Sequence, residues 1–110
     1  MGVHEFSEED LAFQYRDAQS SHDDIIRLVA REYHLRYSDL VGPDRYKTIA
    51  FARHVAMYLC KMRLKMSFPE IGKVFGRDHT TIISAVNKIR DLRNDMKFDA
   101  IMTRLERMIQ

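Results

Sequence analysis

Residues 67–92 read SFPEIGKVFGRDHTTIISAVNKIRDL, and their pattern decides the fold. Ser67 is placed to cap a short helix. Pro69 falls in its first turn, where a missing N–H removes no intrahelical bond. Ile71, Val74 and Phe75 form an apolar stripe on that helix. Gly76 follows, the residue type that tolerates the left-handed conformation at a helix end. Asp78 is placed to cap a second helix, along which Ile82, Ala85, Val86, Ile89 and Leu92 recur at helical spacing. Its other face carries His79, Thr80, Thr81, Ser84, Asn87 and Lys88. Two helices around a glycine-containing turn, the second opening with small hydrogen-bonding side chains, predict a helix-turn-helix.

Working outward, Arg45 to Met66 has the longest helical period, with Ile49, Ala52, Ala56, Leu59, Met62 and Met66 in phase and Val55 beside them. The opposite face carries Lys47, Arg53, His54, Lys61 and Lys65. Arg45 and Lys47 stand at its start, where cations disfavour the helix dipole. An external anion explains them better than helix stability does. Upstream, Ser21 and Asp24 match a capping box, and Ile25, Leu28, Val29 and Tyr33 mark one face through about His34. Tyr37 to Leu40 suggests a further short helical turn before Gly42 and Pro43 break it. Downstream, Phe98, Ile101, Met102, Leu105, Met108 and Ile109 predict a closing helix over 97–110. The whole is an all-α class: one small helical domain over 21–110, preceded by an acidic tail over 1–20.

Composition narrows the function. The 110 residues are 45% apolar and 31% charged, the balance of a soluble globular domain. No apolar run reaches the roughly 18 residues that span a bilayer, and Glu5, Glu8, Glu9 and Asp10 are unlike a signal peptide. The expected location is cytoplasmic, at the nucleoid, with no membrane partner. Cys60 is the one cysteine and reads as a core residue; no Cys/His cluster has metal spacing, and no cofactor is expected. The net charge of +2 hides a division: residues 1–44 carry four basic and ten acidic side chains, residues 45–110 fourteen basic and six acidic. A basic C-terminal part is the footprint of a nucleic-acid surface.

An enzyme is not expected. Gly72-Lys73 is followed by Val74 and lacks the earlier glycine of a phosphate loop, and Asp78-His79 is explained by a capping carboxylate beside a first-turn histidine. DNA binding uses what is present. Threonine methyls pack on thymine and their hydroxyls reach base edges, histidine donates to purine acceptors, and Arg77 and Lys88 suit phosphates.

Pro69-Glu70-Ile71-Gly72 with Phe75-Gly76-Arg77-Asp78-His79-Thr80-Thr81-Ile82 resembles the C-terminal DNA-binding domain (domain IV) of the bacterial DnaA initiators, a Trp-repressor-like helix-turn-helix. Ala52 to Leu59 is similar to that family's long helix. The resemblance implies binding to double-stranded DNA at DnaA-box-like sites. His79, Thr80 and Thr81 would contact major-groove bases, and Asp78 would read a base or orient its neighbours. Arg77 would hold phosphate, Arg45 would enter the minor groove, and Lys47 and Arg53 would touch the backbone. Ser84 stands on the same face, where the family often has histidine, and the turn has one glycine where the family usually has two. The sequence holds no ATPase domain, and a free-standing, monomeric DnaA-related protein in replication control is favoured over an excised domain. The alternative is a protein-interaction adaptor that holds a replication protein through the acidic tail.

Overall fold

The computed structural model describes residues 20–110, and the sequence expectations for 1–19 lie outside them. Among the described residues there are six helices: α1 (His22–Glu32), α2 (Tyr37–Val41), α3 (Lys47–Leu64), α4 (Phe68–Phe75), α5 (His79–Leu92) and α6 (Met96–Arg107). The fold is all-α.

Local chemistry sets most of the helix starts. Ser21 and Asp24 close the expected capping box on α1, with Ser21 N donating to Asp24 Oδ2 at 2.9 Å. Ser67 and Glu70 do the same for α4. Asp78 and Asp95 cap α5 and α6 with their carboxylates. Each such cap contributes about 1 kcal/mol by satisfying an otherwise orphaned N–H.

The long helix α3 is the centre of the molecule. It packs against α1, α2, α4 and α5, and α5 packs in turn on α4. Ala52, Val55, Ala56, Met57, Tyr58, Leu59 and Cys60 are all buried, so α3 is covered nearly all round rather than along one stripe. Cys60 is in the core as expected, and burial pushes its thiol up to about 12. Ile25, Ile26, Val29, Leu40, Ile71, Phe75, Ile82, Val86, Ile89, Met102 and Leu105 complete the core. Three residues expected on apolar stripes are substantially exposed: Met62, Leu92 and Met108. All three lie near a helix end.

The closing helix is tied on by charge as well as by its apolar side. Arg104 makes a two-pronged bond to Glu32 (3.0 and 2.7 Å), and Ser20 N donates to Gln110 O at 3.1 Å. These pairs hold the C-terminal segment against both ends of α1. Arg93, at the end of α5, reaches Asp99 (2.6 Å), Thr103 (3.3 Å) and Glu106 (3.0 Å) on α6 and the Tyr58 hydroxyl (3.2 Å) on α3.

Candidate nucleic-acid interface

The turn between α4 and α5 closes because two glycines permit it. Gly76 has φ +64° and ψ +38°, the left-handed conformation expected of it. Gly72 has a different task. The Arg77 carbonyl oxygen would lie 2.5 Å from a Cβ at position 72, and Arg77 N donates to Gly72 O at 2.9 Å. A side chain there would push the turn open. The sequence cue was a glycine inside a helix, which costs about 1 kcal/mol relative to alanine unless close packing requires it.

This turn sets the start of α5. Asp78 Oδ1 accepts from Thr80 N at 3.3 Å and lies 3.0 Å from His79 Nδ1, so one carboxylate caps the helix and orients the histidine. Asp78, His79, Thr80, Thr81, Ser84 and Lys88 are all exposed. Among the described residues, their hydroxyls and ring nitrogens have only local partners.

Arg45 and Lys47 are exposed beside this surface, Arg45 just before Tyr46, the N-cap of α3, and Lys47 at the first helical position. With His54 and Lys88 they rim a groove of about 560 Å³, floored by Tyr33, Ala50 and Phe51. Tyr33 and Phe98 meet Phe51 edge-on with ring centroids 5.8 and 5.6 Å away, which stiffens that floor. A shallow depression next to it joins Arg45 to Arg77 past Val41, Gly42, Pro43, Phe75 and Gly76. The cations from the start of α3, from the turn and from α5 therefore share one side of the molecule. His54, read from the sequence only as part of the polar face of α3, is half-buried. Burial first, then Lys88, Arg53 and Arg77, hold its pKa below the ordinary histidine value. Tyr46 is 73% exposed between Arg45 and Lys47.

Arg53 corrects a sequence expectation. It is only 4% exposed, so it does not stand on the open surface as the periodicity suggested. Its Nε donates to Leu40 O (2.7 Å), and its Nη2 to Asp39 O (3.1 Å), Gly42 O (3.1 Å) and Asp44 O (2.9 Å). The first carbonyls belong to the C-terminal end of α2, where helices leave acceptors unpaired and cations are favoured. Burial, then Arg77, lowers its pKa, and Asp44 opposes them. Arg77 is half-exposed, with Nη1 on Phe75 O (2.6 Å) and Nη2 on Gly42 O (2.9 Å). Its Nε–H and two remaining Nη protons stay available to an external acceptor.

A closed two-helix turn whose second helix presents polar side chains amid cations is the architecture of helix-turn-helix DNA-binding domains. The chain belongs to the bacterial DnaA protein helix-turn-helix family, which its residues 22–89 match. It is 45% identical over 96 residues to the chromosomal replication initiator protein DnaA of Cereibacter sphaeroides, covering 86% of this chain and 21% of that protein. Against DnaA of Lactococcus lactis it is 54% identical over 70 residues, 62% of this chain and 15% of that protein. The chain thus spans about a fifth or less of these relatives' lengths. Among solved structures, a DNA replication initiation factor superposes with a TM-score of 0.74 at 32% identity, over 91% of this chain and 31% of that one. A replication initiator DnaA bound to AMPPCP and single-stranded DNA gives 0.68 at 30% identity, over the same shares. The family match falls on the helix-turn-helix and the helices that support it. Among the described residues no helix is long and apolar enough to cross a membrane.

Proposed function

We propose that this domain binds double-stranded DNA at DnaA-box-like sites and acts in the control of replication initiation, with no ATPase of its own. The first turn of α5 enters the major groove. His79, Thr80 and Thr81 read base edges there, Asp78 orients them, and Ser84 lies one turn further along. Arg45 enters the neighbouring minor groove, while Lys47, Arg77 and Lys88 neutralise phosphates. The observation that carries this reading is the convergence of an exposed, polar first turn of α5 with cations from two other segments. Base edges supply the specificity and phosphates the salt-dependent affinity. Anisotropy titrations of a DnaA-box duplex and a scrambled duplex at moderate salt test it. Saturable binding that favours the box is expected, and equal affinity for both would overturn the reading.

The adaptor reading draws on the same groove, whose aromatic floor suits an apolar side chain of a protein partner, and on the acidic residues before 20. Capture of a replication protein by a chain that does not discriminate between the duplexes would favour it. The domain is read as a monomer at the nucleoid in the cytoplasm.

A further inference from the structure

Two DNA-facing parts of this protein come from distant positions in the chain. Arg45 lies in the loop before α3, and the first turn of α5 follows thirty-odd residues later. A short chain of hydrogen bonds joins them. The Asp44 carbonyl, immediately before Arg45, accepts from Arg53 Nη2 at 2.9 Å. The same nitrogen donates to Gly42 O at 3.1 Å, and Gly42 O also accepts from Arg77 Nη2 at 2.9 Å. Arg77 directly precedes Asp78, the cap of α5. The loop backbone lies close against α2 here, since a Cβ at position 42 would come within 2.7 Å of the Ser38 carbonyl oxygen.

We propose that Arg53 and Arg77 are positioning residues that fix the 42–46 loop to the helix-turn-helix turn, holding Arg45 in register with α5. The assignment rests on the DNA-binding reading above and deepens it. Three observations carry it. Arg53 directs its Nε and Nη2 donors at four carbonyls of residues 39–44. Arginine alone among side chains offers donors in a rigid planar fork, so it bridges several acceptors where lysine presents a single nitrogen. The two guanidinium groups repel one another across Gly42 O, a cost that a phosphate laid against the exposed side of Arg77 offsets. The consequence is that the minor-groove and major-groove contacts engage as one unit, and the loop does not search for its groove independently.

A mutant cycle on the full chain tests this. Arg53→Lys keeps the charge and removes the fork. In the wild-type background, Arg45→Ala and Thr81→Ala are each expected to weaken binding to the box duplex about tenfold. In the Arg53→Lys background, Arg45→Ala is expected to cost under about threefold, because Arg45 is no longer placed, while Thr81→Ala still costs about tenfold. A purely structural role would lower all affinities together and leave the Arg45 factor unchanged. An unchanged factor therefore overturns the assignment. Failure of the wild-type chain to prefer the box overturns the DNA-binding reading instead, before the cycle begins. Circular dichroism establishes that each variant is folded. If Arg53→Lys is not, Arg77→Lys carries the same cycle from the half-exposed side of the clasp.

Discussion

The two ends of α5 are built on opposite plans. At the N-terminal end, Asp78, His79, Thr80 and Thr81 are exposed and, among the described residues, bond only to one another or to nearby backbone of their own helix. At the C-terminal end, Arg93 is tied to four side chains on two other helices. Its pairing with Glu106, then Asp99, raises its pKa further above the already high arginine value despite partial burial. Beyond its cap, Asp78, the first end can be changed at little cost to folding and offers hydrogen bonds to a partner. The second orients the helix so that the first points the same way in every molecule. Binding and stability are thereby separated along one element of 14 residues.

That separation is open to attack at four points. Arg93→Ala is expected to do most damage. It leaves Glu106 and Asp99 without their shared cation and costs about 2–3 kcal/mol, below the full figure for a buried pair because solvent reaches part of it. Urea titrations measure it; the ratio of affinities for box and scrambled duplexes is expected to hold once folded protein is compared. Thr81→Ala should do the reverse, costing about 2 kcal/mol in binding to the box while the urea midpoint stays in place. A fall in both, or in neither, would merge the two ends into one function.

Asp78→Ala sits between them. Loss of the cap is expected to cost about 1 kcal/mol in stability, and release of His79 to weaken box binding as well. Smallest is a pH effect at the groove beside α5. Burial and the neighbouring cations hold His54 below its ordinary value of 6.5, so the unfolded chain takes up the proton first as pH falls. Its contribution is fully present above that value and is lost as pH drops below it. Melting temperatures between pH ~7.5 and ~5.5 are expected to fall, and His54→Gln to flatten that slope. Asp24 and Glu70, held below the usual carboxylate range by their bonds to Ser21 and Ser67, act in the same direction only at lower pH.

The parts of this fold that sequence made legible are the local ones. Ser21, Ser67 and Asp78 cap helices through bonds that span two or three residues, and Gly76 bends where a glycine was needed. Periodicity located α1, α3, α5 and α6 but misjudged the exposure of individual positions. Arg53 falls opposite the apolar stripe of α3, yet it is buried because α2 and its following loop fold over that face. The Gly42-Pro43 break held a cue, since a short helix that stops abruptly leaves carbonyls in need of donors. Arg93 gave no such sign: its partners lie 6 to 35 residues away. Nor did His34 and Lys65, which take positive φ angles of 57° and 59° without glycine. The exposed polar turn of α5, by contrast, was visible from residue types alone.

Ser20 N meets Gln110 O at 3.1 Å, and Gln110 N returns a 3.0 Å bond to the Ser20 hydroxyl. Positions 20 and 110 therefore sit side by side, like the two contacts of a plug. A short Gly/Ser bridge between them would close the domain into a ring, which could be reopened at an exposed loop with every helix keeping its neighbours.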